Sequence, residues 1–142
     1  MDQTILNFIQ SQRVGVLAVE MLDGSPHGAT VHFAHTETPF VFYFETHYDY
    51  KKSEALLGRE TSRASLVVGF DETVMKTLQL DGQVRRLKGE EKEIFQKVYL
   101  AKFPNRAEKQ NDPGTILFTF TPTWWRFTDW KGKDGKTIIT SS

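Results

Sequence analysis

The chain contains no cysteine. That excludes a disulfide framework, a thiolate metal site and a cysteine nucleophile. Excess charge is also missing: 18 Lys and Arg stand against 18 Asp and Glu. With a net charge of zero, no global field gathers nucleic acid, and any anion site must be a local cluster. No apolar run approaches the ~20 residues of a membrane span. The first ten residues, MDQTILNFIQ, lack the basic start and apolar middle of a secretion signal. The expectation is a cytoplasmic protein with neither nucleic acid nor membrane as partner. The ten glycines form no phosphate loop and no dinucleotide fingerprint. Glu45, Asp49 and Asp71 are scattered, and no Ser-His-Asp set can be assembled. No catalytic residue is assigned, so chemistry has to come from a bound cofactor.

What the chain does have is aromatic side chains: 11 Phe, 4 Tyr and 3 Trp in 142 residues. Its length suits one domain over residues 1–142. A domain of that size buries roughly 70% of its unfolded surface. Asp2 can cap a first helix whose stripe is Ile5, Leu6, Phe8 and Ile9. Three extended runs follow, Val14 to Met21, Ala29 to His35 and Phe40 to Glu45. Asp23-Gly24 and Thr36 to Pro39 turn the chain between them, so the runs read as an antiparallel meander.

A helix is expected from Lys51 to Leu57 with Gly58 as its stop, then a strand from Arg63 to Phe70. Lys76 to Leu87 alternates as a strand, and Gly82 within it signals a bulge or a close backbone approach. Glu90 to Phe103 is the clearest helix, with Ile94, Phe95, Val98 and Tyr99 on one face and Pro104 as its end. Arg106 to Pro113 reads as a polar loop. Thr115 to Thr121 alternates with Ile116, Phe118 and Phe120 on one side, and Trp124 to Trp130 continues extended. A turn at Lys131 to Lys136 precedes a short frayed end. The fold class is mainly β: an antiparallel barrel of six to seven strands with three short helices.

Three groups are site candidates. Lys51 and Lys52 stand at a helix start, with Thr46 upstream and Tyr50 beside them. A helix start offers free N–H groups, and ammonium and hydroxyl donors beside it suit a phosphate, although a lysine pair is also a common solvated surface. The four histidines lie between positions 27 and 47. His32 and His35 differ by three and point to opposite faces of one strand, which disfavours a shared metal; His32 suits a ligand-facing role. Trp124 and Trp125 must face opposite ways, and one of them with Arg126 can hold a planar anion.

The order of these segments resembles the pyridoxamine 5'-phosphate oxidase-like proteins, the FMN-binding split β-barrels. The matching pieces run from Ile5 to Trp130. They are Arg13 to Ala18, Pro26 to Phe33, Phe40 to Thr46, Lys51-Lys52, Arg63 to Val68 and Leu78 to Val84. The resemblance implies a homodimer with FMN between two barrels. Thr30, Val31, His32 and Phe33 would run beside the flavin ring, partly through backbone groups. Thr46, Lys51 and Lys52 would hold the phosphate, with Tyr50 where many members carry Ser. Thr77, where many carry Gln, and Gln79 would approach the ring. Trp124, Trp125 or Arg126 would come from the partner, with Trp125 and Arg126 the residues chosen for the site. The arginine-rich C-terminal segment that binds pyridoxal phosphate is not recognisable, so the namesake oxidase activity is not expected. Haem, a deazaflavin or no cofactor are the alternatives, and the substrate and electron donor are unknown.

Overall fold

Asp2 opens the first helix as its position suggests. In a computed structural model describing residues 1–142, its carboxylate accepts from the Thr4 N–H at 2.7 Å, and α1 runs Gln3–Ser11. The strands are β1 (Val14–Glu20), β2 (Pro26–His32), β3 (Ala34–Thr36), β4 (Val41–His47), β5 (Ser62–Val68), β6 (Lys76–Arg86), β7 (Thr115–Gly132) and β8 (Gly135–Thr140). Two further helices are α2 (Ser53–Gly58) and α3 (Lys92–Lys102).

Every strand pair is antiparallel, and the sheet order is β2-β1-β5-β6-β7-β4-β3, with β8 added to β7. The two ends of this path, β2 and β3, are separated in sequence only by Phe33. One bent stretch of chain therefore joins both ends and curls the sheet into a split barrel, in which β2 and β3 do not pair. Its interior holds Leu17, Leu66, Leu80, Phe42, Phe44, Phe118 and Phe120, together with Ile5 and Ile9 of α1 and Ala55 and Leu56 of α2. A second, smaller cluster lies outside, where Phe95, Tyr99 and Phe103 of the α3 region pack on Ala34 and Tyr43. No helix is long and apolar enough to cross a membrane.

The expected bulge is present. The register of β6 on β7 shifts between Asp81 and Gly82, leaving Thr123 unpaired. A Cβ on Gly82 would lie 2.1 Å from the Thr121 carbonyl oxygen, so only glycine allows the strands to approach there. The extra residue also switches the inward set of β7, from Ile116, Phe118 and Phe120 to Phe127.

Other boundaries differ from expectation. The run Ala29 to His35 begins earlier, at Pro26, and breaks at Phe33. The expected helix from Lys51 begins only at Ser53, and Lys51 and Lys52 occupy the turn before it. The polar loop after Pro104 is a 3-10 helix, Pro104–Asn111. The frayed end is the paired strand β8, which brings the sheet to eight strands. Ile94 is exposed, because α3 buries only the Phe95–Tyr99 side.

Candidate cofactor site

Strand alternation sorts the candidate residues into two groups. Thr46 shares the inward side of β4 with Phe42 and Phe44, opposite Ile116. Its hydroxyl is buried and has no hydrogen-bond partner. Thr46 and Tyr50 line one small cavity of about 160 Å³ with Arg106 and Lys109. Glu45 and Asp112 line it too. Glu45 is committed: it accepts from Arg106 and from Gln110 at 2.8 Å. His47 is held by Asp49 at 2.7 Å.

Lys52 is buried at the foot of α2, with its ammonium 4.8 Å from the centre of the Tyr50 ring. Burial alone depresses its pKa, and no carboxylate lies against it. A buried cation without an acid is costly to keep, and a bound anion would relieve that cost. Lys51 is exposed, so the cation pair divides into one buried and one solvated member.

The second group lies on the outer face of the sheet. Thr30 stands opposite Val16, Val16 opposite Val67, Val67 opposite Gln79, and Gln79 opposite Arg126. Three expected contacts, Thr30, Gln79 and Arg126, fall here on one outward row. From Thr30 to Gln79 the row crosses β2, β1, β5 and β6, three steps of ~4.8 Å or roughly 14 Å. Val16 is 37% exposed in the middle of this row, an unusual place for a valine on a central strand. β2 pairs only with β1, so its other edge keeps free backbone groups beside Thr30 and His32.

The side chains of Val31 and Phe33 point into the core, leaving them only backbone to offer. Trp125 turns inward and packs against the core, so the outward partner of Arg126 is Trp124, whose ring lies 5.4 Å from the guanidinium. This corrects the choice of Trp125. Thr77 is half-buried and donates its hydroxyl to the Val68 carbonyl at 3.2 Å. His32 points outward and His35 inward, as alternation requires.

Sequence reasoning missed a cationic cluster beside His32. Arg13 lies 4.7 Å and Lys102 5.8 Å from the centre of the Phe103 ring, which the His32 ring meets edge-on at 5.4 Å. Burial, and then Arg13 and Arg106, hold His32 below the usual imidazole range. Burial together with Arg13 lowers Lys102 to about 8. The only signal was the basic pattern at Arg13, Lys102 and Arg106, whose members are far apart in sequence.

Residues 1–129 match the family described as pyridoxamine 5'-phosphate oxidase. The chain belongs to this family. Solved structures agree on the fold. A haem binding protein from Mycobacterium smegmatis superposes with a TM-score of 0.77 at 15% identity, over 95% of this chain and 55% of its own. This chain thus spans about half the length of that protein. A Clostridium acetobutylicum protein of the pyridoxinephosphate oxidase family, related to general stress protein 26, gives 0.69 at 17%, over 100% and 96%. HutZ, the haem storage protein of Vibrio cholerae, gives 0.66 at 17%, over 85% and 89%. No curated sequence matches. In this pyridoxamine 5'-phosphate oxidase family member, Thr46 and Lys52 are both buried, and Tyr50 lines the cavity while its ring meets the Lys52 ammonium.

Proposed function

We propose that two copies of this chain hold FMN between their outward sheet faces, and that the pair acts as an oxidoreductase on a small molecule. The observation that carries the reading is Lys52, a buried cation with no acid against it. The orphaned Thr46 hydroxyl adds a second buried donor without a partner. Both fit a phosphate, which accepts charge-assisted hydrogen bonds from ammonium and hydroxyl groups.

The outer row supports the two-copy arrangement. Thr30 and Gln79 stand roughly 14 Å apart across one sheet, which supports a ring that meets one of them on this chain and the other on its partner. Val16 and Val67 supply the apolar centre such an interface needs. The free edge of β2 offers backbone donors to polar ring atoms. Bound flavin supplies the electron or hydride transfer that no side chain here can perform. The protein's part is to fix the phosphate, present the ring and exclude water. Titration of FMN, followed by loss of flavin fluorescence and by thermal shift, tests the reading; a chain that changes neither signal refutes it.

A second reading is haem on the same barrel. Its support is His32, an outward imidazole held neutral, which is the form that ligates iron. Two of the similar structures are named for haem. Titration of haem at the Soret band, with His32→Ala as control, separates the two readings.

A further inference from the structure

A second cleft, of about 520 Å³, opens between the end of α2 and the end of β6. It is lined by Leu56, Leu57 and Leu87 and by Arg59, Arg85, Arg86 and Lys88. Its volume falls in the range of small-molecule sites. None of the flavin-site candidates lines it. We propose that this cleft binds a phosphate-bearing small molecule of nucleotide size.

The cations of the cleft differ in how far they are already committed. Arg85 is paired with Glu91 through two bonds of 2.7 and 2.6 Å, and Glu91 also accepts from the Lys88 N–H at 2.9 Å. Glu91 is thereby used up in fixing the chain between β6 and α3. Lys88 has only the exposed Glu60, at 3.8 Å, a pair of little strength. Arg86 is exposed and its guanidinium has no acid within ion-pair distance. Arg59 is held in place by the carbonyl oxygens of Glu20 and Met21, and its guanidinium lies 3.7 Å from the Glu20 carboxylate, which Arg63 also engages. Its Nε is buried with no acceptor, an orphan that calls for a partner.

The lining thus carries four cations and one acid, Glu60; Glu91 and Glu20, outside the lining, engage Arg85 and Arg59, which leaves Arg86 free and Lys88 only weakly paired. Fork-shaped guanidinium donors suit phosphate oxygens better than a lone carboxylate. The three leucines give an apolar wall for the body of such a ligand, so a phosphate attached to a ring system fits better than free phosphate.

The test is titration of ADP into the isotopically labelled full chain, followed by amide chemical shifts. The expected result is saturable shifts centred on residues 56–60 and 85–88. The R86A/K88A double variant changes only exposed side chains. It should weaken binding by at least about tenfold while unfolding at the same temperature. The separate variant T46V/K52M should leave ADP shifts unchanged, whether or not the flavin reading holds. Three outcomes would overturn the proposal. One is no saturable shift. Another is shifts that R86A/K88A leaves intact. The third is association with vesicles of anionic phospholipid without any ADP shift, which would assign the same cations to a lipid headgroup.

Discussion

The Lys52 ammonium lies 4.8 Å from the centre of the Tyr50 ring, and that ring, not a carboxylate, is what faces the buried charge. A cation–π contact is weaker compensation than an ion pair. Lys52→Met should therefore leave the ligand-free protein as stable or more stable, by about 1 kcal/mol, because an unpaired buried charge is gone. The same change should weaken FMN binding roughly 10- to 100-fold, the loss of a charge-assisted bond to phosphate. Thermal unfolding and flavin fluorescence read the two effects separately. A large loss of stability without FMN would show that Lys52 serves the fold instead.

The outward row gives an interface prediction. Val16 and Val67 are neighbours across β1 and β5 and support no core contact of their own chain's barrel interior. Val16→Glu should keep the monomer folded, since the new charge remains in water. It should abolish the dimer, because a charge at the centre of an apolar interface is left unpaired. Sedimentation velocity checks the outcome. A monomeric parent protein would remove the basis of this prediction.

His35 sets the response to acid. Its ring is packed 6.0 Å from the Phe42 ring, and both ring nitrogens are buried without hydrogen bonds. Burial, then Lys102, holds its pKa down to about 4. In the unfolded chain the group regains the ordinary imidazole value of ~6.5. The unfolded state therefore binds the extra proton first as pH falls, and stability drops between about pH 6.5 and pH 4. His35→Leu should flatten that acid limb and raise stability by roughly 1–2 kcal/mol through loss of two orphaned nitrogens. Chemical unfolding at several pH values reads this; an unchanged acid limb would contradict it.

Gly82 tests the bulge. With the Thr121 carbonyl oxygen 2.1 Å from a modest Cβ, Gly82→Ala forces the two backbones apart. The expected cost is about 2–4 kcal/mol, at the upper end for a one-carbon change. A variant that melts with the parent would mean the strands yield easily there.

How much could be read beforehand varies with the physics involved. Asp2, the Ile5–Ile9 stripe and the Phe118–Phe120 alternation were legible because caps and periodicity are local. So was the bulge at Gly82. The 3-10 helix after Pro104 was not, since such turns carry no 3.6-residue period. It is held by Arg106 reaching Glu45, 61 residues away. The choice between Trp124 and Trp125 also escaped, because the unpaired Thr123 decides which one faces inward. Of the candidate phosphate site, Thr46 and Lys52 were named from residue type and order. Burial without partners, the property that gives them meaning, is visible only in three dimensions.

The most direct test is FMN titration of the purified chain by flavin fluorescence, with the mass of the complex measured in the same sample. The account predicts saturable quenching at one FMN per chain, a complex of two chains, and loss of quenching in the T46V/K52M variant. Quenching that survives in that variant, or FMN held by a single chain, would contradict it.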